Sequence, residues 1–174
     1  MGHDTILEGI GMFRRLKPDQ MVECVCNVRL EELMRRGIFN IIIDLDNTLI
    51  PWGEDQIIPE VYQWVKAGHE MGFKFCIVSN SSFKRIRYFA SKFGMLVAPK
   101  RGKPLSRAFK SAMVKLDGNQ HNTAVIGDQI FTDILGGNRL NLYTILVEPI
   151  SKKEFIGTRV MRFLEKTVAK RRKP

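Results

Sequence analysis

A doubly wound α/β fold with a mostly parallel sheet is what this sequence predicts, on three observations. Short apolar runs alternate with stretches of helical periodicity along most of the chain. The runs, such as "IIID", "FKFCIVS" and "TAVIGD", are continuously apolar and do not alternate, so helices should cover both faces of the sheet. Polar residues gather just after these runs, and in such folds ligands bind beyond the carboxyl ends of the strands, near the point where strand order reverses.

The first strand is expected over 39–46, ending inside "IIIDLDNTLI". A buried strand has no use for Asp44 and Asp46, because an unpaired carboxylate is costly to bury. A period of two would point both to one side, where a positive charge should be waiting. Pro59 then opens a helical pattern through Val61, Trp64, Val65, Ala67 and His69 that fades near Gly72. A second strand covers 73–79. Ser81 or Ser82 can cap the helix "FKRIRYFASKF", which stops at Gly94. The short strand "MLVA" leads into "PKRGKP", and Pro104 suits the first position of a helix over 104–116 that Gly118 closes. The next strand is 123–128, the next helix "TDILGGNRL", and the last strand "LYTILV". Gly136 and Gly137 would let that last helix lie close on the sheet. The domain so bounded runs over 38–150, after an N-terminal segment 1–37 and before a basic amphipathic helix at 151–174.

Composition narrows the classes. A chain of 174 residues suits one domain with a sizeable core, and it holds no apolar stretch of membrane-spanning length. Cys24, Cys26 and Cys76 do not make a disulfide framework, so reduced thiols in a cytoplasmic protein are expected. The N-terminus makes a poor secretory signal, and Ile6 breaks the myristoylation pattern that Gly2 would begin. The net charge of +10 is local: nine basic and two acidic residues put +7 on 151–174. Ile156, Val160, Phe163, Leu164 and Val168 fall on one stripe of that tail. It can pack on the domain, lie on an anionic membrane surface, or bind nucleic acid. No base-reading motif or aromatic platform accompanies it, so no DNA partner is expected and RNA ranks last.

Four segments bring polar groups to one rim: Asp44, Asp46, Asn47 and Thr48; Ser79 and Asn80; Lys103; and Asp128 with Asp133. Carboxylates so crowded repel one another unless a cation sits among them, and few hard oxygen ligands with room for water suit Mg²⁺. The lysine and hydroxyl suit an anionic substrate. Phosphoryl transfer needs these parts: a nucleophile, charge neutralisation and a proton for the leaving group. Each residue also has a plainer reading. Ser79 can cap a helix, Lys103 competes with Lys100 and Arg101, Asp133 can answer a helix dipole, and Trp52 can pack in the core or line the rim.

The segments "DLDNTL", "FCIVSN", "GKP" and "VIGDQIFTD", in this order over 41–133, resemble the four motifs of the haloacid-dehalogenase-type phosphohydrolases. The resemblance implies that Asp44 is the nucleophile and a Mg²⁺ ligand. It implies that Asp46 protonates the leaving oxygen, then activates water, and binds the metal through its carbonyl. Ser79 and the N–H of Asn80 would hold phosphoryl oxygens, with Lys103 neutralising charge. Asp128 would bind Mg²⁺, and Asp133 would act on the metal through water or orient Lys103. Neither gap between the early motifs has room for an inserted cap domain, which matches the capless members. "RRLKPD", "NTLIPW", "VSNSS" and "VIGDQIFTDILGGNRLNLYTILVEPI" further resemble subfamily III A, the bacterial relatives of the mitochondrial phosphatidylglycerophosphate phosphatase. That implies a phosphorylated lipid headgroup as substrate, met at the cytoplasmic membrane face. A soluble sugar or nucleotide monophosphate is the alternative substrate, and an RNA- or ribosome-binding protein with a vestigial site the alternative class.

Overall fold

The structure is a computed structural model and describes residues 14–98 and 102–151. Along the chain come β1 (Gln20–Val22), a 3₁₀ turn (Val25–Asn27), α1 (Leu30–Arg35), β2 (Asn40–Ile43), α2 (Pro59–Glu70), β3 (Lys74–Ile77) and α3 (Phe83–Phe93). Then follow β4 (Leu96–Val97), α4 (Ser106–Leu116), β5 (Thr123–Gly127), a π-helical turn (Ile130–Ile134) running into α5 (Leu135–Asn138), and β6 (Tyr143–Val147). The six strands form one sheet in the order β1-β6-β5-β2-β3-β4, and every pairing is parallel. From β2 the chain steps outward to β3 and β4, then crosses back to lay β5 on the other side of β2. Strand order therefore reverses at β2 and β5, and their carboxyl ends frame the expected crevice.

The pattern of burial explains why the strands read as unbroken apolar runs. Ile41, Ile43, Phe75, Ile77, Ala124 and Ile126 face a cluster built with Leu33 of α1, Trp64 and Val65 of α2, and Phe89 and Phe93 of α3. Ile42, Cys76, Val78 and Val125 face the other way, onto Ala108, Phe109, Ala112 and Leu116 of α4. Both faces are covered, so neither parity can be polar. Gly136 and Gly137 bring α5 onto that second face as expected. A Cβ on Gly136 would overlap the Phe109 ring, and one on Gly137 would come within 2.7 Å of Thr144 Cγ2.

Several boundaries differ from the sequence reading, each for a local reason. The first strand ends at Ile43, although the Asp44 N–H still donates to the Ile126 carbonyl at 3.0 Å. Beyond it Asn47 takes a left-handed conformation (φ 63°), and its N–H donates to the Ile50 carbonyl, turning the chain back. The fourth helix begins at Ser106, since Gly102 to Leu105 form a turn closed by the Leu105 N–H on the Gly102 carbonyl. Its left-handed closing residue is Asp117. Gly118 is needed instead for closeness, since a Cβ there would lie 2.6 Å from Thr123 Oγ1. Ser82 caps α3 by accepting from the Arg85 N–H, and Gly94 ends it at φ 66°. Periodicity marks no element before residue 38, yet β1 pairs with β6 and α1 buries Leu30 and Leu33.

Between β2 and β3 lie one loop and α2, and between β3 and β4 lies α3, so the described residues carry no cap domain. No helix among the described residues is long and apolar enough to cross a membrane. The basic helix expected at 151–174 lies, beyond Ser151, outside the described residues.

Candidate active site

The carboxyl end of β2 delivers Asp44, and that of β5, its neighbour, delivers Asp128; both are buried. Asp133 comes from the π-helical turn and is buried too. The wide turn bends this residue back toward its strand: the Asp133 N–H donates to the Gln129 carbonyl, and the Gln129 N–H donates to Asp133 Oδ2 at 3.2 Å. Gly127 makes room for it, because a Cβ there would overlap the Asp133 carboxylate.

Lys103 reaches into this group from the turn before α4. Its Nζ lies 2.7 Å from Asp44 Oδ1 and 2.6 Å from Asp133 Oδ1, and the lysine side chain is only 3% exposed. Burial alone would lower the ammonium's pKa. The carboxylates of Asp133 and Asp44 more than reverse that and hold it above the usual lysine range. Burial pushes the Asp133 carboxyl up to about 6, against the pull of Lys103. The Lys103 N–H also donates to Asn80 Oδ1 at 3.0 Å, which ties this turn to the end of β3. Ser79 is buried beside it, its hydroxyl accepting from the Ser81 N–H. Thr48 is fully buried, and its hydroxyl has no hydrogen-bond partner among the described residues.

Asp44, Asp128 and Asp133 each present an oxygen, and these oxygens lie within 4.8 Å of one another. Three buried carboxylates against one ammonium leave an excess of negative charge in a place that water screens poorly. Hard oxygen donors with that charge fit a divalent cation. The three aspartates can therefore hold a metal.

Asp46 departs from expectation. Its ion pair is with Arg85 and not with Lys103, the cation that Asp44 meets, because β2 has already ended and the chain turns at Leu45–Ile50. Its carboxylate lies at the start of α3, with Oδ1 accepting from Arg85 Nε at 2.9 Å and Oδ2 from the Ser81 hydroxyl. Burial raises its pKa, Arg85 opposes that, and Asp44 adds to it. The two carboxylates thus meet two different cations. Sequence reasoning missed Arg85, and treated Ser81 only as a possible cap. The available signal was a cation three residues after a capping serine, on the helix that follows the second motif.

The profile described as a haloacid dehalogenase-like hydrolase matches residues 28–141. The chain belongs to the haloacid dehalogenase-like hydrolases. Within that family it is 36% identical over 151 residues to the probable phosphatase YqeG of Bacillus subtilis, covering 87% of this chain and 88% of that one. It is a phosphatase of the family. It is also 28% identical over 152 residues to phosphatidylglycerophosphate phosphatase 1, chloroplastic/mitochondrial, of Arabidopsis thaliana; the match covers 81% of this chain and 43% of the plant protein. Two solved structures share the fold. One is a protein from Listeria monocytogenes (TM-score 0.53, 17% identity, 76% of this chain and 99% of that one). The other is a haloacid dehalogenase-like family protein from Streptococcus pneumoniae (TM-score 0.51, 12% identity, 63% and 84%).

Proposed function

We propose that this haloacid dehalogenase-like phosphatase hydrolyses phosphomonoesters through an aspartyl-phosphate on Asp44, and that its substrate is phosphatidylglycerophosphate. The observation that carries the reaction class is the buried Lys103 bridging Asp44 and Asp133, with Asp128 alongside. An ammonium so placed answers both the nucleophile and a transferring phosphoryl group.

In the first step an Asp44 carboxylate oxygen bonds to phosphorus as the bond to the leaving oxygen breaks. The Asp46 carboxyl gives its proton to that oxygen, and an alcohol leaves. In the second step water attacks the phosphorus and passes a proton to the Asp46 carboxylate, freeing Asp44 and inorganic phosphate. The Ser79 hydroxyl and the Asn80 N–H hold phosphoryl oxygens, while Lys103 balances their charge. Mg²⁺ would be held by Asp44, Asp128, the Asp46 carbonyl and Asp133, directly or through water. When bound it supplies charge neutralisation and Lewis acidity.

The substrate reading is supported by the name and likeness of the plant relative and by a rim over which the described residues place no cap domain, which leaves room for a headgroup in a lipid surface. The +7 charge of 151–174 agrees with work at the cytoplasmic face of an anionic membrane. The test is phosphate release with Mg²⁺ from phosphatidylglycerophosphate in detergent micelles, beside glycerol 3-phosphate, sugar phosphates and nucleotide monophosphates. Turnover of the lipid at least tenfold above the soluble esters is expected. Preference for a soluble ester would remove the lipid assignment, and release that persists in EDTA or in Asp44→Asn would remove the mechanism.

A further inference from the structure

We propose that Arg85 is a positioning residue that couples the loop at 51–55 to Asp46, so that the seating of this loop and the aim of the carboxyl group depend on one side chain. The inference rests on the reading of Asp46 as the acid and base of the reaction. Arg85 is the third residue of α3. Its Nε donates to Asp46 Oδ1 at 2.9 Å, while the other end of the same guanidinium faces the loop. Nη2 donates to the carbonyls of Glu54 (2.6 Å) and Pro51 (3.4 Å), and Nη1 to Asp55 Oδ1 (2.6 Å). Pro51 and Glu54 are the two ends of one tight turn, closed by the Glu54 N–H on the Pro51 carbonyl, with Gly53 left-handed at φ 75°. One planar cation therefore fills the mouth of the turn and holds the carboxylate together.

An ordinary surface ion pair does not account for this. The Asp55 side chain is 81% exposed and contributes little through screened charge. The Arg85 side chain is 19% exposed and the Asp46 side chain 13%, and the guanidinium lies 4.9 Å from the Phe89 ring centroid, which fixes its plane. With Ser81 on one oxygen and Arg85 on the other, the Asp46 carboxyl cannot rotate freely. Such restriction brings an acid into line with a leaving oxygen. A lysine could supply the charge but not the fork that spans carboxylate and loop together. The loop carries Trp52, which is partly exposed and whose N–H donates to Asn47 Oδ1 in the first motif, so its position is tied to the nucleophile's own segment.

The test uses the full chain with Mg²⁺ and reads the alcohol released in the first turnover, before water attacks. Arg85→Met keeps the stem and removes the fork; Arg85→Lys is the second variant should the first fail to fold. The substrates are 4-nitrophenyl phosphate, whose leaving group needs little acid, and glycerol 3-phosphate, whose alkoxide needs much. Either variant should lose about 10- to 100-fold on the alkyl ester beyond its loss on the aryl ester, as misdirected general acid catalysis requires. Amide hydrogen exchange at 52–55 should rise about tenfold or more with exchange in β2 unchanged, the signature of a locally freed loop. Equal losses on the two esters, or unchanged exchange at 52–55, would overturn the coupling. Asp46→Asn is measured in parallel. If it shows the alkyl-specific loss and Arg85→Met does not, the coupling alone falls. If Asp46→Asn itself spares the alkyl ester, the acid assignment falls and takes the coupling with it.

Discussion

Lys103 stands between two buried carboxylates, and its removal should be felt twice. Lys103→Ala should lower kcat/KM by about 2–4 kcal/mol, the scale of losing a donor aimed at developing charge. Lys110→Ala, on the exposed face of α4, should change it by well under 1 kcal/mol. The same substitution leaves Asp44 and Asp133 without their cation, so the metal-free chain should lose about 3–5 kcal/mol in urea unfolding. The proposed Mg²⁺ site predicts that the saturating ion narrows that gap, since a cation among the aspartates replaces the charge that Lys103 no longer supplies. A metal-independent gap would mean that the aspartates do not share an ion. Much at this scale was legible in the sequence. Asp44, Asp46, Ser79, Asp128 and Asp133 betray themselves by interrupting apolar runs, where chemistry must explain a cost that packing cannot. Arg85 could not be found that way. A basic residue near a helix start is ordinary in sequence, and only the fold shows that a loop thirty residues earlier curls around it.

At the scale of elements, the long central strands and α3 were readable because each is buried along a full stripe or on both faces. β1 and α1 were not. Gln20–Val22 is three residues of which none is fully buried, and Leu30–Arg35 buries only Leu30 and Leu33, with Met34 partly buried against the core, too little for a period to emerge. Leu33 is nonetheless almost fully buried, so Leu33→Ala should destabilise the protein by about 2–5 kcal/mol in urea melts. A loss below about 0.5 kcal/mol would show that α1 is no part of the cooperative unit. The π-helical turn was invisible for a different reason: its cause is the Asp133 side chain turning back to Gln129 and Lys103, a tertiary demand that local propensity does not carry. Gly127→Ala tests it. The added methyl collides with the Asp133 carboxylate, and overpacking of this kind costs about 1–3 kcal/mol. Activity should fall more steeply than stability, because the displaced group is the partner of Lys103.

For the molecule as a whole, the tail sets a separate question of place. Nine basic and two acidic residues over 151–174 should draw the protein to phosphatidylglycerol vesicles, with about 1 kcal/mol for each cation that reaches the surface. Deleting 152–174 should abolish sedimentation with those vesicles while sparing turnover of 4-nitrophenyl phosphate. Undiminished vesicle binding by the truncated chain would place the membrane contact elsewhere. The strand order carries a consequence in time as well as in space. β5 is made some eighty residues after β2 yet must lie beside it, so a chain growing from its N-terminus holds one edge of β2 open until β5 arrives. Pairings so distant in sequence close late and slowly. Asp128 and Asp133 come with that same late strand, so the proposed metal site cannot form before the sheet is nearly complete. Mg²⁺ should therefore leave the refolding rate almost unchanged and slow unfolding by nearly the whole of its stabilising factor, as expected of contacts absent from the transition state.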